Sequence, residues 1–427
     1  MKIEEIYQCF LQCDSVSTDT RKIDPNSLFV ALKGDNFDAN TFAQEALNKG
    51  ASFVIIDNKQ YYTDEDKMLL VTDSLTALQE LAKYHRQQLG LPIIALTGSN
   101  GKTTTKELIN TVLSKKYTTK ATLGNLNNHI GVPLTLLSFN EDTDIGIVEM
   151  GANHQKEIAF LCSIAEPDFG YITNFGKAHL EGFGGIEGVI KGKSELYTYL
   201  QENQKTVFIN LDDPIQVEKS KGITNYSFSM NMKSNVYFDS VTANPMVKIG
   251  FNNQTIESHL IGIYNANNIN AAITIGCYFN VSDDEIKSAI ENYIPSNNRS
   301  QLLKKDSNNI ILDAYNANPS SMTAAITNFM QIDGKDKIAI LGDMFELGTE
   351  SLPEHQKVVE LLRNETGITT IFVGKDFYAN KIENNHIHFY KTFEDFAETI
   401  KTLKPQNKTI LIKGSRGMAL ERTLDII

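Results

Sequence analysis

Residues 92–104 read Pro92-Ile-Ile-Ala-Leu-Thr-Gly-Ser-Asn-Gly-Lys-Thr-Thr104, and this stretch decides the fold of the chain around it. The apolar run over 92–96 predicts a buried strand that enters a glycine-rich turn and then a helix. In such a loop, glycines let backbone N–H groups face phosphates, Lys102 reaches the β- and γ-phosphates, and the Thr103 hydroxyl can bind Mg²⁺. The order of strand, turn and helix favours a nucleotide-binding loop over a helix cap with flexible glycines.

Apolar runs and helical patterns alternate on both sides of this loop, which predicts an α/β protein. Before the loop, we expect strands at 27–32 and 52–56 and helices at 41–49 and 74–89. After the loop, we expect strands at 145–150, 170–173 and 206–210, followed by a β-rich insert at 236–262. A shorter strand–helix rhythm then predicts a small doubly wound sheet, with strands at 310–312, 337–341, 369–373 and 409–412.

A chain of 427 residues is too long for one hydrophobic core. The changes in pattern predict three domains: a first over 1–90, a central one over 91–297 and a C-terminal one over 298–427. With no proline-rich linker between them, we expect these domains to pack closely.

The composition excludes several classes of protein. The formal net charge of −12 argues against binding nucleic acid through a basic surface. Four scattered cysteines are typical of reduced thiols rather than a disulfide framework. The start of the chain has no signal-peptide pattern, and no window is long and apolar enough for a membrane span. We therefore expect a cytoplasmic protein that does not insert into membranes.

Further stretches follow the loop in a fixed order. They are Leu123-Gly-Asn-Leu-Asn-Asn-His-Ile-Gly-Val-Pro-Leu-Thr-Leu136, Val148-Glu-Met-Gly-Ala152, Asn174-Phe-Gly-Lys-Ala-His-Leu-Glu-Gly-Phe183 and Lys191-Gly-Lys-Ser-Glu-Leu196. With the loop, they resemble the Mur ligases over almost the whole chain. Leu96 stands where the general phosphate-loop pattern has a glycine, so the loop is the shorter form that the Mur ligases share. Three positions depart from the family pattern: Asn298 stands where glycine is usual, Tyr264 replaces a histidine, and Thr20 replaces a serine.

The resemblance implies a small α/β UDP-sugar-binding domain, a central P-loop ATPase-like domain and a C-terminal Rossmann-like ligase domain. It implies ATP-driven amide formation through an acyl phosphate, with Lys102, Glu149, His179 and Lys193 as catalytic residues. One Mg²⁺ is expected on Thr103 and Glu149, and a second on Glu149, His179 and a carbamylated Lys193. The ATP-binding positions that match are Gly98, Ser99, Asn100, Gly101, Lys102, Thr103, Thr104, Asn265, Asn268, Arg299 and Asp313.

The segment Asp313-Ala-Tyr-Asn-Ala-Asn-Pro-Ser-Ser-Met322 resembles the branch of the family that adds D-alanyl-D-alanine to a UDP-muramoyl-tripeptide. Asn316 and Asn318 can offer amide groups to a dipeptide, and the helix that opens at Pro319 can face its carboxylate. The substrate-binding positions implied by the resemblance are Thr20, Arg21, Asn125, Asn128, Tyr315, Asn316, Asn318, Lys413, Ser415 and Arg416. For Ser415, turn chemistry is the competing interpretation.

Two alternatives stay open at this point. Within the same class, the chain could be another Mur-type ligase or a folate-polyglutamate-like ligase. From a different class, it could be a P-loop ATPase that acts as a switch and has no use for a lysine at position 193. The interpretation as a D-alanyl-D-alanine-adding ligase implies small-molecule substrates, no nucleic-acid partner and a monomer.

Overall fold

Three successive stretches of the chain each build a sheet of their own. The structure is a computed structural model that describes residues 1–295, 298–334 and 336–427. The first stretch contains a four-stranded parallel sheet in the order β1-β2-β5-β6 and a short ribbon of β3 and β4. Its elements are α1 Ile3–Phe10, β1 Ser15–Ser17, β2 Ser27–Val30, β3 Lys33–Gly34, β4 Phe37–Asp38, α2 Ala43–Asn48, β5 Ala51–Ile56, β6 Met68–Leu70 and α3 Ser74–Leu89.

Of the two helices predicted for this stretch, one matches the structure at both ends and the other is shorter than predicted. Helix α3 is confirmed at 74–89, because Asp73 caps its first turn and Gly90 ends it with left-handed backbone. The predicted helix at 41–49 is shorter: a 3-10 turn over Ala39–Phe42 precedes α2. Asp38 accepts the amide of Asn40 and so favours that tighter turn.

The central stretch builds a seven-stranded parallel sheet in the order β13-β12-β11-β10-β7-β9-β8. An antiparallel meander of β14, β15 and β16 follows it, at the position of the predicted β-rich insert. The elements are β7 Ile93–Thr97, α4 Lys102–Leu113, β8 Thr119–Ala121, α5 Gly131–Leu137, β9 Ile145–Glu149, α6 Glu157–Ala165, β10 Phe169–Ile172, α7 Leu180–Phe183, α8 Ile186–Glu202, β11 Thr206–Asn210, α9 Pro214–Lys219, β12 Thr224–Ser229, β13 Val236–Tyr237, β14 Ser240–Ala243, β15 Met246–Phe251, β16 Gln254–Ile261, α10 Ala266–Tyr278 and α11 Asp283–Asn292.

The third stretch forms a six-stranded sheet in the order β17-β18-β22-β19-β20-β21, which confirms the predicted doubly wound architecture. All of its pairs are parallel except β17 with β18 at one edge. Its elements are β17 Gln301–Lys305, β18 Asn308–Asp313, α12 Pro319–Gln331, β19 Lys337–Gly342, α13 Ser351–Leu362, β20 Ile368–Val373, α14 Lys375–Ala379, β21 Ile387–Tyr390, α15 Phe393–Leu403 and β22 Thr409–Lys413.

Sheet order decides where polar side chains can meet. In the central sheet, β7 lies between β9 and β10, so the segments after these three strands share one edge. In the C-terminal sheet, β18, β22 and β19 are neighbours, and the segments after them likewise share an edge. Ligands of open parallel sheets bind at such carboxyl edges. None of the helices in the described parts of the chain has the length and apolar character needed to cross a membrane.

Candidate active site

The loop after β7 has a backbone that only glycine can supply at two positions. Gly98 has φ of +140°, and a Cβ there would lie 2.0 Å from the Thr173 hydroxyl oxygen at the end of the neighbouring β10. Gly101 has φ of +79°, and a Cβ there would lie 2.5 Å from the side-chain oxygen of Asn268. The Thr173 hydroxyl donates to the carbonyl of Asn100 at 2.6 Å. The loop is therefore held close to its neighbours in the shape that exposes its amides.

A cavity of about 760 Å³ opens over this loop, between the edges of the central and C-terminal sheets. It brings together most of the residues predicted from the sequence. Those that line it are Ser99, Asn100, Gly101, Lys102, Thr103, Thr104, Asn125, Asn128, Glu149, His179, Asn265, Asn268, Arg299, Asp313, Tyr315, Asn316, Asn318 and Lys413. The volume is that of a typical small-molecule site, and residues from both sheets contribute to it.

Lys102 begins helix α4 and faces the cavity. Its Nζ donates to the carbonyl oxygen of Gly98 at 2.8 Å and to that of Ser99 at 3.4 Å. Burial lowers the pKa of Lys102, the carboxylate of Glu149 opposes that shift, and the positive charge of Arg299 adds to it. An anion in the cavity would supply the counter-charge that this ammonium and Arg299 share.

Glu149 ends strand β9 and is 1% exposed. Its Oε1 accepts a hydrogen bond from Asn127 at 2.8 Å. Its Oε2 is buried and has no hydrogen-bond partner among the residues that the structure describes. Buried carboxylate oxygens are normally paired, so this one fits a ligand that brings positive charge, such as a divalent cation.

His179 precedes the short helix α7 and has left-handed backbone with φ of +52°. Its Nδ1 is hydrogen-bonded to the carboxylate of Glu346, which belongs to the loop after β19 in the C-terminal sheet. No role for Glu346 was predicted from the sequence. Its side chain reaches His179 from 167 positions away, so no local pattern could have revealed the contact.

Lys193 lies within helix α8 and is completely buried. Its Nζ donates to the carbonyl of Ala152 at 3.1 Å and lies 5.0 Å from the centre of the Phe183 ring. Burial lowers the pKa of Lys193 well below its usual value, and the charge of Lys102 adds to this effect. Lys193 is not itself in the cavity wall, but its partner Ala152 is.

These groups decide what kind of metal site the chain can form. The described ranges contain no cluster of three or more His, Cys, Asp or Glu side chains suited to an ion. An ion here would need other oxygen donors besides Glu149 and His179. The Thr103 hydroxyl, a nucleotide phosphate and a carbamate on Lys193 are donors of the hard oxygen type that Mg²⁺ prefers. The residues present therefore fit the predicted ions.

The two asparagines predicted to face the nucleotide are linked to each other. Asn268 donates to the side-chain oxygen of Asn265 at 2.8 Å, and Asn265 donates to the carbonyl of Ile261 at 2.7 Å. The Thr105 hydroxyl donates to Asn268 at 3.1 Å. These contacts position both side chains against the loop at Gly101.

Tyr264, which stands at the family's histidine position, also lines the cavity. Its hydroxyl lies 3.0 Å from the Ser300 hydroxyl, and burial raises its pKa. The Tyr264 side chain therefore links the central stretch to the start of the C-terminal one.

Arg299 precedes strand β17, and Asp313 ends strand β18. Their polar atoms are hydrogen-bonded to different extents. The Arg299 guanidinium stacks on the Tyr315 ring, 3.7 Å from its centre, and its buried Nε has no hydrogen-bond partner within the described residues. Asp313 accepts from the buried Lys413 at 2.6 Å and from the Ser300 amide at 3.1 Å. Arg299 thus lines the cavity with a buried Nε that has no partner within the described residues, while both oxygens of Asp313 accept hydrogen bonds.

The segment after β18 presents its two asparagines differently. Asn316 is exposed at the cavity, and its side-chain oxygen accepts the amide of Ala317 at 2.9 Å. Asn318 caps helix α12 by accepting the Ser321 amide at 2.9 Å, and its amide group donates to Asn100 at 2.7 Å. Asn318 therefore joins the C-terminal sheet to the phosphate loop, which leaves Asn316 as the freer amide.

The remaining predicted positions are placed outside the cavity wall or serve local turns. Ser415 accepts the Phe345 amide at 2.9 Å and donates to the Ala317 carbonyl at 3.3 Å, as expected for turn chemistry. Arg416 pairs with Glu421 at 3.1 Å and lies 5.6 Å from the Tyr315 ring centre.

Two positions that line the cavity are exposed, and one of them also shapes the backbone. Asn128 accepts the amides of Ile130 and Gly131 and so begins helix α5, while Asn125 is exposed.

In the first stretch, Thr20 and Arg21 do not line the cavity. The Arg21 side chain is 86% exposed and pairs with Asp19 at 2.8 Å.

Family models and known proteins match the chain along almost its whole length. The Mur ligase family catalytic domain matches residues 12–86, the Mur ligase middle domain 96–276, and the Mur ligase glutamate ligase domain 298–416. The UDP-N-acetylmuramoyl-tripeptide--D-alanyl-D-alanine ligase of Bacillus subtilis (strain 168) is 35% identical over 420 residues, which cover 95% of this chain and 91% of that protein.

Solved structures agree with this match. MurF from Acinetobacter baumannii superposes with a TM-score of 0.87 at 30% identity, covering 99% of this chain and 97% of that one. MurF ligase from Thermotoga maritima, solved in complex with ADP, gives a TM-score of 0.85 at 26% identity, covering 98% and 97%. With the loop, the cavity and the order of the three sheets, these similarities show that the chain belongs to the Mur ligase family.

Proposed function

We propose that the chain joins D-alanyl-D-alanine to a UDP-N-acetylmuramoyl-tripeptide with consumption of ATP, which yields the UDP-muramoyl-pentapeptide precursor of peptidoglycan. The observation that carries the proposal is the shared cavity, in which the phosphate loop of the central sheet faces the Asp313–Asn318 segment of the C-terminal sheet. Full-length similarity to relatives named for this reaction supports it.

In the proposed reaction, a carboxylate oxygen of the tripeptide attacks the γ-phosphorus of ATP, and the bond to ADP breaks. The amine of the dipeptide then attacks the carbonyl carbon of the resulting acyl phosphate, phosphate leaves, and the amine loses a proton. Two anions must approach each other in the first step, so the site needs concentrated positive charge. Lys102 and Arg299 supply it from this chain, with Lys102 held by the loop carbonyls.

We propose that Thr103 and Glu149 hold one Mg²⁺ together with the ATP phosphates. Glu149, His179 and a carbamate on Lys193 would hold the second. When bound, such ions neutralise phosphate charge. Carbamate formation needs a neutral amine, and the burial of Lys193 favours that form by lowering its pKa.

For the acceptor, we propose that Asn316 offers its amide group to the dipeptide, with Tyr315 and Lys413 beside it. The prediction that Asn318 also binds the dipeptide is weakened by its contacts to Ser321 and Asn100.

We propose that the stretch 1–90 binds the UDP-sugar through Thr20 and Arg21, that 91–297 binds ATP, and that 298–427 binds the acceptor. The boundary between the last two falls between residues 297 and 298, and residue 297 lies outside the described residues. The nucleotide substrates make the cytoplasm the proposed location, and we propose a monomer as the working unit.

The test is ADP release by the full chain with ATP and either a lysine- or a diaminopimelate-containing UDP-muramoyl-tripeptide. We expect ADP release only when tripeptide and D-alanyl-D-alanine are both present. ADP release without either substrate would favour the alternative of a P-loop ATPase switch. Release that requires a single amino acid in place of the dipeptide would favour another Mur-type or folate-polyglutamate-like ligase.

A further inference from the structure

His179 and Glu346 face each other where the central and C-terminal sheets meet, and both have left-handed backbone. Their φ angles are +52° and +61°. For residues that carry a Cβ, this conformation costs roughly 1–2 kcal/mol. Such strain persists where the surrounding structure fixes it, and it concentrates at functional sites. The pair therefore merits a functional explanation.

Hydrogen bonds hold the loop after β19, which carries Glu346, in a fixed position. Each of the three preceding residues is tied to a different element: Asp343 accepts the amides of Asp376 and Phe377 at 3.0 and 2.9 Å, the Met344 amide donates to His355 at 3.0 Å, and the Phe345 amide donates to Ser415 at 2.9 Å. Glu346 follows these anchors directly. Its position is therefore set by the C-terminal sheet and helices rather than by a mobile loop tip.

Glu346 then makes two contacts with the opposite side. Its carboxylate is hydrogen-bonded to Nδ1 of His179, and its backbone carbonyl accepts the Glu181 amide at 3.2 Å. His179 directly precedes helix α7, and Glu181 lies in its first turn. One residue of the C-terminal part thus holds both the ring and the backbone of the His179 segment.

The chemical consequence concerns the histidine ring. A neutral imidazole has one N–H, and a carboxylate at Nδ1 places that proton there. The lone pair is then on Nε2, the remaining ring nitrogen, which is the arrangement that metal-binding histidines use when a second residue orients them. His179 lines the cavity that contains Glu149, so the oriented ring belongs to the site where the second ion is proposed.

We propose that Glu346 is a positioning residue that fixes the tautomer and orientation of His179, so that the second metal site is completed only when the C-terminal part is docked. The inference rests on the proposed function, because it takes His179 as a metal ligand. It links domain docking to ion binding through a single residue. Substrate that favours the docked arrangement would thereby also complete the ion site.

The test is a Mn²⁺ titration of the full chain by electron paramagnetic resonance, with a non-hydrolysable ATP analogue present. Mn²⁺ serves as the probe because, like Mg²⁺, it suits carboxylate, carbonyl and water oxygen ligands. Loss of an orienting residue typically weakens metal affinity about 10- to 100-fold. For Glu346→Gln and Glu346→Ala we expect that loss at the second Mn²⁺, with the first Mn²⁺ unchanged. Both replacements keep a Cβ, so the left-handed backbone at position 346 is as strained in the variants as in the native protein.

Two control variants separate positioning from other effects. Glu350→Gln removes a neighbouring exposed acid and should leave both Mn²⁺ affinities at the wild-type value. Lys177→Met removes the ion pair with Glu354, 2.6 Å long, which spans the same contact without touching His179. If Lys177→Met weakens the second Mn²⁺ as much as the Glu346 variants do, docking alone explains the loss and the positioning role is wrong.

The remaining outcomes are equally decisive. Wild-type protein that binds two Mn²⁺, with unchanged affinity in both Glu346 variants, would overturn the inference and leave the proposed ligase function standing. Wild-type protein that binds a single Mn²⁺ would overturn the two-ion site and this inference with it. The ADP-release assay decides the ligase function independently of either result.

Discussion

Replacing Lys193 tests whether its buried amine serves the ligation reaction as well as the packing of the fold. The side chain is fully buried in helix α8, and its amine donates to the Ala152 carbonyl at 3.1 Å. Two replacements separate folding from chemistry. Methionine fills a similar volume without a ligand atom, and alanine leaves a space behind.

The expected cost in stability follows from these contacts. Lys193→Met leaves the Ala152 carbonyl without its donor, which costs about 1–3 kcal/mol, while removal of a buried amine offsets part of that cost. Lys193→Ala truncates a fully buried side chain, and comparable truncations cost about 2–5 kcal/mol. We therefore expect the methionine variant to fold with a melting temperature close to that of the wild type.

Ligation should respond very differently. If the carbamate of Lys193 supplies an oxygen ligand, its loss should lower kcat/KM by a factor on the order of 10² to 10³ in both variants. Small carboxylic acids such as acetate should partly restore Lys193→Ala, because they can enter the vacated space. They should not restore Lys193→Met, whose side chain fills it. Lys191→Met, at an exposed position of the same helix, should match the wild type.

The assay is steady-state ligation with and without acetate, beside thermal unfolding of each variant. A folded Lys193→Met enzyme with wild-type kcat/KM would refute the role of Lys193. Wild-type activity that is insensitive to removal of dissolved carbon dioxide would count against the carbamate.

Three further predictions follow from single contacts. Lys102→Met should keep the fold by thermal unfolding but lower kcat/KM on the order of 10² to 10³-fold, since its cation serves phosphates; unchanged ligation would remove the loop from the mechanism. Asn316→Ala should raise the KM for the dipeptide and leave the KM for ATP unchanged. Asn318→Ala should instead cost about 0.5–2 kcal/mol of stability, because it removes a helix cap. Equal effects of the two variants on the KM for the dipeptide would contradict this division. His85 is hydrogen-bonded to the Phe139 carbonyl at 2.9 Å, and burial lowers its pKa below 6.5, so its contribution to stability is complete above about pH 6.5 and is lost as the pH falls through the folded-state pKa. His85→Gln should flatten the loss of stability on acidification, and an unchanged slope in chemical unfolding would contradict that assignment.

The sheets were predictable where strands are buried on both faces, because such strands are continuous apolar runs. Strands β7, β9 and β19 are of this kind, and their positions match the prediction to within a residue or two. Strand β17 was missed. It is an edge strand that reads Gln-Leu-Leu-Lys-Lys and alternates between half-buried and exposed positions, so its sequence carries no apolar run.

The site was predictable where its residues belong to one continuous motif. It was not predictable where its residues come from distant parts of the chain. The loop around Lys102 and the carboxylate of Glu149 were visible as motifs at strand ends. The burial of Lys193 was not predicted, although Val189 and Leu196 lie four residues before and three residues after it and place it on the apolar face of helix α8. The contact between His179 and Glu346 depends on how two sheets dock, which no local pattern encodes.

Asn318 shows a different limit. The residues Asn318-Pro-Ser-Ser321 indicate a helix start, and the structure places one there. Cap formation, however, uses the same side-chain oxygen that a dipeptide would need. A helix-start signal and a binding signal can therefore coincide in one side chain, and only the geometry shows which contact it makes.

The most direct test of the central claim is an isotope measurement on the ligation reaction. The full chain is given ATP, D-alanyl-D-alanine and a UDP-muramoyl-tripeptide whose reacting carboxylate carries ¹⁸O, and the products are analysed by mass spectrometry. The acyl phosphate route predicts the UDP-muramoyl-pentapeptide together with inorganic phosphate that contains one ¹⁸O atom. Pentapeptide formed with unlabelled phosphate, or ATP consumed without pentapeptide, would contradict the account.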